Sequence, residues 1–300
     1  MAVMRIAVAG SSGLIGTPLV RSLRADGHEV VRLVRRPPQG ADEARWDPAA
    51  GTVDADALRG VDAVVNLAGA GIGDKRWTAA YKKELRDSRI LGTAALARAI
   101  AAAEAPPKVF LSGSAIGYYG DTGDRAVDET APAGEGFLAE LCVEWEAATL
   151  PAEEAGVRVA HLRTGLVVAA EGGAWGPLMR AFRLGVGGRL GDGRQYWSFI
   201  SLRDTVAAIR FLLDAESVRG PVNLTAPDPV TNAEVTKAVS RALRRPALFP
   251  VPKFALRTVL GGLADDVLSS QRAIPSVLRN AGFGFADPTI DLALAAALHK

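Results

Sequence analysis

Short apolar runs alternate with longer stretches of helical spacing through the first 165 residues of this 300-residue chain. Arg5–Ala9, Glu29–Val34, Ala63–Leu67, Val109–Ser112 and Arg158–Leu162 are brief and strongly apolar, which predicts strands buried on both faces. Between them, Leu14–Ala25, Ala79–Ala103 and Phe137–Ala155 predict helices. Strands alternating with helices imply an α/β fold, a doubly wound parallel sheet covered on both sides. Beyond Gly165 the pattern loosens. Glycines crowd positions 172–193, predicting loops that reach over a cleft. Asp204–Ala215 is again helical, and Pro221–Leu224 reads as a strand. Thr231 with Glu234 forms a capping box for a helix ending at Leu243, and Pro246, Pro250 and Pro252 mark a linker. The last ~50 residues predict a smaller, mostly helical part, with Asp287 and Pro288 capping one helix. The division expected is 1–225, with loops 165–203 over the cleft, and 226–300 on the substrate side.

Composition narrows the partners. Hydrophobic residues make up 49%, enough for a large core. A net charge of +2, from 35 basic and 33 acidic residues, offers no electrostatic case for nucleic acid or a membrane surface. No apolar run reaches the ~18 residues of a membrane span. Met1–Ala9 is too short and strand-like for a secretion signal, so the cytoplasm is the expected location. The single cysteine, Cys142, excludes an internal disulfide, and His28, His161 and His299 are too scattered to suggest a metal site. A small molecule is therefore the expected partner.

The strongest chemical signal is the run Gly10, Ser11, Ser12, Gly13, Leu14, Ile15, Gly16, which leaves a strand and opens a helix. Gly10 allows the tight turn, Gly13 lets the backbone approach a diphosphate, and Gly16 lets the helix pack on the strand. Free N–H groups and the positive end of the helix favour the anion. That context predicts dinucleotide binding in a Rossmann-type domain. NAD sites usually place an acid at the end of the second strand, for the ribose 2′-hydroxyl. Here that strand ends in Arg35 and Arg36, with no acid close by in sequence. Guanidinium forks suit a 2′-phosphate, so NADP(H) is favoured over NAD(H), with Ser12 able to add a hydroxyl.

With Asn66, Leu67, Ala68 and Gly69 after a strand, and the serine segment Ser112–Gly120, the chain resembles the extended short-chain dehydrogenase/reductase superfamily, in its epimerase/dehydratase group. Gly73–Trp77, Ser88 with Arg89, Leu162–Gly165, Gly187–Gln195 and Asn223–Pro227 resemble one epimerase-like subgroup. So does the stretch from Pro250 through Ser269–Arg272 to Ala281–Phe283. It resembles the small domain of unknown function, about 248–296, that closes those proteins. The resemblance implies that Asn66–Gly69 and Ser112 face the cofactor and that Ser114 is the serine of the reaction centre. It also implies a homodimer formed through a helix pair, as is common in the superfamily.

That superfamily works through a tyrosine and a lysine spaced Tyr-x-x-x-Lys on one helix face, the lysine lowering the tyrosine pKa. Phe137 and Leu141 stand at the matching positions, with neither a proton to give nor a charge to tune one. No other Tyr-x-x-x-Lys occurs among Tyr81, Tyr118, Tyr119 and Tyr196. Tyr118 or Tyr119 could bring a hydroxyl to Ser114, or pack as a structural ring. Arg163, at a strand end, is a candidate cofactor-binding residue that would hold an anionic group, or else part of a structural ion pair. Arg76, Trp77, Tyr196 and Trp197 are candidates for lining the substrate cleft. Where the extended group has His-Val-x-Asp, this chain has Ser201 and Asp204, and Asp204 reads as a helix cap. Two functions stay open: an NADP(H)-dependent oxidoreductase or epimerase acting on a small carbonyl or sugar-like substrate, and a non-catalytic module that senses the redox state of NADP(H).

Overall fold

The computed structural model describes residues 3–54, 56–247 and 249–298, so His299 and position 248, the expected start of the closing domain, lie outside the described residues. In chain order the strands begin with β1 (Arg5–Ala9), β2 (Glu29–Val34), β3 (Glu43–Asp47), β4 (Thr52–Val53), β5 (Ala63–Asn66) and β6 (Val109–Ala115). They continue with β7 (Arg158–Thr164), β8 (Leu166–Val168), β9 (Tyr196–Trp197), β10 (Phe199–Ser201), β11 (Gly220–Leu224) and β12 (Val230–Thr231). The helices are α1 (Gly16–Ala25), α2 (Ala79–Ala101), α3 (Phe137–Ala147), α4 (Leu150–Glu154), α5 (Trp175–Arg183) and α6 (Leu202–Asp214). The smaller part adds α7 (Asn232–Leu243), α8 (Lys253–Leu260), α9 (Leu263–Leu268), α10 (Ser276–Asn280) and α11 (Ile290–Leu298).

Eight strands form one sheet in the order β11-β7-β6-β5-β1-β2-β3-β4, all parallel except β4, which pairs antiparallel with β3. Successive residues of each central strand feed opposite layers. Ile6 and Val8 pack under α1 and α6 with Leu19, Leu23 and Ile209. Ala7 and Val64 pack under α2 and α4 with Leu96, Ile100 and Ala152. Burial on both faces is why these strands read as continuous apolar runs, each large buried side chain contributing roughly 1.5–3 kcal/mol. The chain starts at β1, winds outward through β2 and β3, then returns to β5 on the other side of β1. That reversal leaves a crevice beyond the carboxyl ends of β1 and β5, the place where such sheets bind ligands.

The structure corrects several expectations. The expected helix 137–155 is two helices, α3 and α4. Pro151, at the opening of α4, has no N–H to continue the ladder. Within the glycine-rich stretch 172–193 lies α5, which buries Trp175, Met179 and Phe182 against α7 and α11. Asp204 is not the cap of α6. Ser201 is, its hydroxyl accepting the Asp204 N–H at 2.9 Å. The Asp204 carboxylate instead accepts the N–H groups of Ala286 and Asp287, fastening the C-terminal segment to α6. Asp287 does not cap α11; it is paired with Arg203, and the Thr289 hydroxyl accepts the Leu292 N–H. The smaller part then runs back along the carboxyl edge of the large sheet. Backbone bridges join Trp77 to Gly261, Trp197 to Gln271 and Val127 to Ala273. Among the described residues, no helix is long and apolar enough to cross a membrane.

Candidate active site

The crevice begins with the glycine loop. Gly10 has φ +76°, and a Cβ there would stand 2.6–2.8 Å from the backbone of Leu67 and Ala68. A Cβ on Gly16 would lie 2.1 Å from the Gly10 carbonyl oxygen. Gly13 is different: it is exposed, a Cβ would meet only the Gly10 oxygen at 3.3 Å, and its outer side is open. The two outer glycines therefore bring α1 and the β5 loop together, and the middle one leaves bare backbone facing the crevice. Gly13 N–H is spent on Gly10 O, whereas Ser11, Ser12, Leu14 and Ile15 have no backbone acceptor for theirs among the described residues. Those N–H groups at the start of α1 suit a diphosphate. Across from them, Asn66 holds the β5 loop. Its amide donates to Thr93 Oγ1 at 3.0 Å, and its carbonyl oxygen accepts the Ala68 N–H at 3.2 Å. Gly172 and Gly173 rest against the Leu14 side chain, so the loop after β8 closes the outer wall.

At the end of β2 the two arginines part company. Arg35 is exposed and enters no ion pair among the described residues. Arg36 turns its fork onto Glu43 of β3, with bonds of 2.7 Å to each carboxylate oxygen. The expectation that no acid lies near these arginines is thus wrong in three dimensions, because β3 was not anticipated. The hydrogen bonds from Arg36 and from the Gln39 N–H hold the Glu43 carboxyl down at about 2. A carboxyl lowered from its ordinary 4.5 adds stability that is complete above pH 4.5 and is lost as pH falls through about 2. Glu43→Gln is therefore expected to flatten the acid limb of a stability-versus-pH curve between those values, read by urea unfolding at each pH. An acid limb identical to that of the wild type would show that the pair contributes nothing.

On the far side of the crevice, β6 and β7 run in register with Ser114 beside Arg163. The Ser114 hydroxyl donates to Glu146 Oε1 at 2.6 Å. Arg163 meets the same carboxylate with Nε and Nη2, both at 2.8 Å. Its Nη1 donates to the Tyr119 hydroxyl at 3.1 Å, which itself donates to Asn223 Oδ1 at 2.8 Å. Burial works against the Arg163 charge, but Glu146 outweighs it and holds the guanidinium above its usual pKa. Burial pushes the Tyr119 hydroxyl up to about 12. His161 lies behind Glu146, its Nε2 2.9 Å from Thr149 Oγ1; burial keeps its pKa below the usual histidine value. Arg163 is 3% exposed, so it is the ion-pair alternative rather than an open anion receptor. Tyr119 is likewise locked. Tyr118 differs: it is half-buried, its ring lies 3.4 Å from the Arg163 guanidinium, and its hydroxyl has no hydrogen bond among the described residues. Ser112 is sealed, its Oγ without a partner.

Phe137 and Leu141 share one face of α3 with Trp145 one turn on. The Phe137 ring meets Trp77 edge to face at 5.3 Å, with the Lys82 ammonium 4.8 Å from its centroid. Trp77 is buried and donates its indole N–H to Ile72 O at 2.9 Å, so it is a packing residue and not an open wall. Arg76 is exposed against Gly261. Tyr196 and Trp197 are half-buried in β9. Arg272 lies 4.5 Å over the Tyr196 ring, and Trp197 donates its indole N–H to Val267 O at 3.4 Å. The segment 261–273 thus touches all four residues expected to line the cleft.

The family model for the NAD dependent epimerase/dehydratase family matches residues 6–224. This chain belongs to that family. A second model, a domain of unknown function (DUF1731), matches residues 251–297. Epimerase family protein ML0860 of Mycobacterium leprae is 51% identical over 290 residues, which is 96% of this chain and 94% of that protein. The crystal structure of human epimerase family protein SDR39U1 with NADPH superposes with a TM-score of 0.91 at 35% identity, over 99% of this chain and 100% of that one. A nucleoside-diphosphate sugar epimerase from Corynebacterium glutamicum aligns with a TM-score of 0.82 at 36% identity, over 99% of this chain and 58% of its own. The matched residues 6–224 hold the parallel sheet, the glycine loop and Ser114 near the end of β6, and the smaller helical part holds the second match. Sequence reasoning did not anticipate Glu43, Glu146 or Asn223 as the partners of Arg36, Arg163 and Tyr119. Only Asn223 carried a signal, as part of the Asn223–Pro227 element.

Proposed function

We propose that this chain binds NADP(H) and uses it to reduce, or to oxidise and re-reduce, a small carbonyl or sugar-like substrate. The observation that carries the reading is the Gly10–Gly16 loop, whose packing glycines leave N–H groups at the start of α1 without a backbone acceptor, and Arg35 after β2, which enters no ion pair, both among the described residues. The similar human protein crystallised with NADPH supports it. The Gly13 backbone and its neighbours would hold the diphosphate, and Arg35 the 2′-phosphate. When bound, the nicotinamide supplies or accepts a hydride.

The chain's own residues must then handle the proton. Phe137 and Leu141 cannot. Ser114 already donates to Glu146, and the Tyr119 hydroxyl is committed at both ends. Tyr118 has an uncommitted hydroxyl at the carboxyl end of β6, on a ring held flat by Arg163, and it is the group assigned to give the proton to the substrate oxygen. Ser114 positions that oxygen as an acceptor or by water, its orientation set by Glu146.

Calorimetric titration with NADPH and NADH tests the cofactor. Arg35→Ala is expected to weaken NADPH about 10–100-fold, the loss of one charge-assisted fork, and to leave NADH unchanged. Equal binding of both cofactors by the parent protein would sink the assignment. The missing Tyr and Lys also favour a second reading, a sensor that holds the cofactor without turnover. That reading requires NADPH and NADP⁺ to bind with different affinities while a carbonyl panel gives no NADPH oxidation.

A further inference from the structure

The near-neutral charge of the whole chain conceals a local surplus. Residues 180–194 and 241–257 carry nine of its 35 basic residues and only one of its 33 acidic ones. Backbone contacts lay these two segments side by side. The Val251 N–H donates to Arg189 O at 2.7 Å, and the Gly191 N–H donates to Val251 O at 2.9 Å. A Cβ on Gly188 would strike the Phe249 carbonyl oxygen, and one on Gly191 would stand 3.4 Å from Lys253 Cε. Two of the nine are neutralised from elsewhere in the chain, Arg241 by Asp291 and Arg257 by Asp265. Arg180, Arg183, Arg189 and Arg194 on one segment are exposed and enter no ion pair among the described residues. The same holds for Arg244, Arg245 and Lys253 on the other.

This basic surface is also apolar. Among the described residues, five large apolar side chains are at least 70% exposed, and Leu184, Val186, Phe249 and Phe254 are four of them. Single exposed apolar side chains are ordinary, but four gathered on adjoining segments mark a contact surface. Helical spacing explains how they come to face outward. Helix α5 turns Trp175, Met179 and Phe182 inward and Arg180 and Arg183 outward. Leu184 and Val186 follow on the turn that ends α5, where Gly185 and Val186 donate their N–H groups to Phe182 O and Ala181 O. Phe249 and Phe254 flank Pro250 and Pro252, whose fixed φ stiffens the chain between them.

Charge and apolarity together choose the partner. A small soluble anion needs a few convergent donors, whereas these seven cations are spread over two helix ends and two loops. Nucleic acid would use the cations but has little use for Leu184 and Val186. The boundary of an anionic bilayer uses both: headgroups meet the guanidinium and ammonium groups, and the apolar side chains enter beneath them. Long arginine and lysine stems let the charged heads stay at headgroup level while the phenyl rings go deeper. We propose that this face docks the protein on an anionic lipid bilayer, lying on the surface without spanning it. The docking face is separate from the glycine loop and does not depend on the cofactor.

Sedimentation with vesicles tests it, using phosphatidylcholine alone and phosphatidylcholine mixed in equal parts with phosphatidylglycerol. The parent is expected to bind the mixed vesicles, to release them as salt is raised, and to ignore the neutral ones. Arg245→Glu with Lys253→Glu reverses two charges outside any helix interior and should weaken binding about tenfold or more. Phe249→Ser with Phe254→Ser keeps every charge and should weaken it about tenfold. Both pairs are exposed, so their Tm and NADPH affinity should match the parent's, and Arg35→Ala should bind vesicles as the parent does. The proposal is overturned if the parent does not bind the mixed vesicles at low salt, if it binds neutral vesicles equally well, or if either pair binds like the parent. A pair that unfolds would place those side chains in the fold and also overturn it. So would duplex DNA bound more tightly than the vesicles and lost only with the charge pair, which would make nucleic acid the partner.

Discussion

Glu146→Ala is expected to cost about 3–5 kcal/mol of stability, the loss seen when one partner of a buried ion pair is removed. The Glu146 carboxylate accepts three hydrogen bonds, one from Ser114 and two from Arg163, and its side chain is 11% exposed. Without it, the Arg163 guanidinium is left 3% exposed with only the Tyr119 hydroxyl as partner. The cost lies in the stranded charge rather than in the net value of the pair. Glu146→Ala combined with Arg163→Met should therefore recover much of the loss, since an apolar chain replaces an uncompensated cation. Urea unfolding of the two single variants and the double variant measures this directly. A double variant as unstable as the sum of its parts would show that Glu146 and Arg163 act separately. Glu146→Gln should fall between, keeping the shape and the Ser114 contact while losing the charge.

The same network marks the boundary of what could be read from the chain alone. The strands of the central sheet were legible because burial on both faces leaves mostly apolar residues at their positions, as in Ala63, Val64 and Val65. The glycine loop was legible because each glycine answers a local steric demand, most severely at Gly16. Strands β3 and β4 were not legible, since an edge hairpin needs no such run, and β3 reads Glu, Ala, Arg, Trp, Asp. With β3 went Glu43, and with Glu43 the distinction between Arg35 and Arg36. Helix α5 did carry a signal: Trp175, Met179 and Phe182 recur at helical spacing, but the flanking glycines masked it. Glu146 carried none. On a helix surface an acid reads as solvated, and only the approach of β7 to α3 decides otherwise.

On the proposed function the two adjacent tyrosines should separate catalysis from architecture, and Tyr118→Phe is expected to lower kcat by about 10²–10⁴-fold, the usual contribution of a positioned general acid. NADPH affinity should hardly change, because the ring remains stacked on Arg163 and only the oxygen is removed. Tyr119→Phe should behave in the opposite way. Its hydroxyl joins Arg163 to Asn223 in the core, so removing it costs stability of roughly 1–3 kcal/mol by leaving a buried amide and a guanidinium short of a partner. With its pKa pushed up to about 12, it is poorly matched to proton transfer near neutral pH, so kcat should stay within a few-fold of the parent. NADPH oxidation against the best compound of a carbonyl panel, with thermal unfolding of both variants, reads the contrast. If Tyr119→Phe abolished turnover in a folded protein while Tyr118→Phe spared it, the proton would have to pass through the locked network. Glu146 and Arg163 would then belong to the chemistry and not to its scaffold.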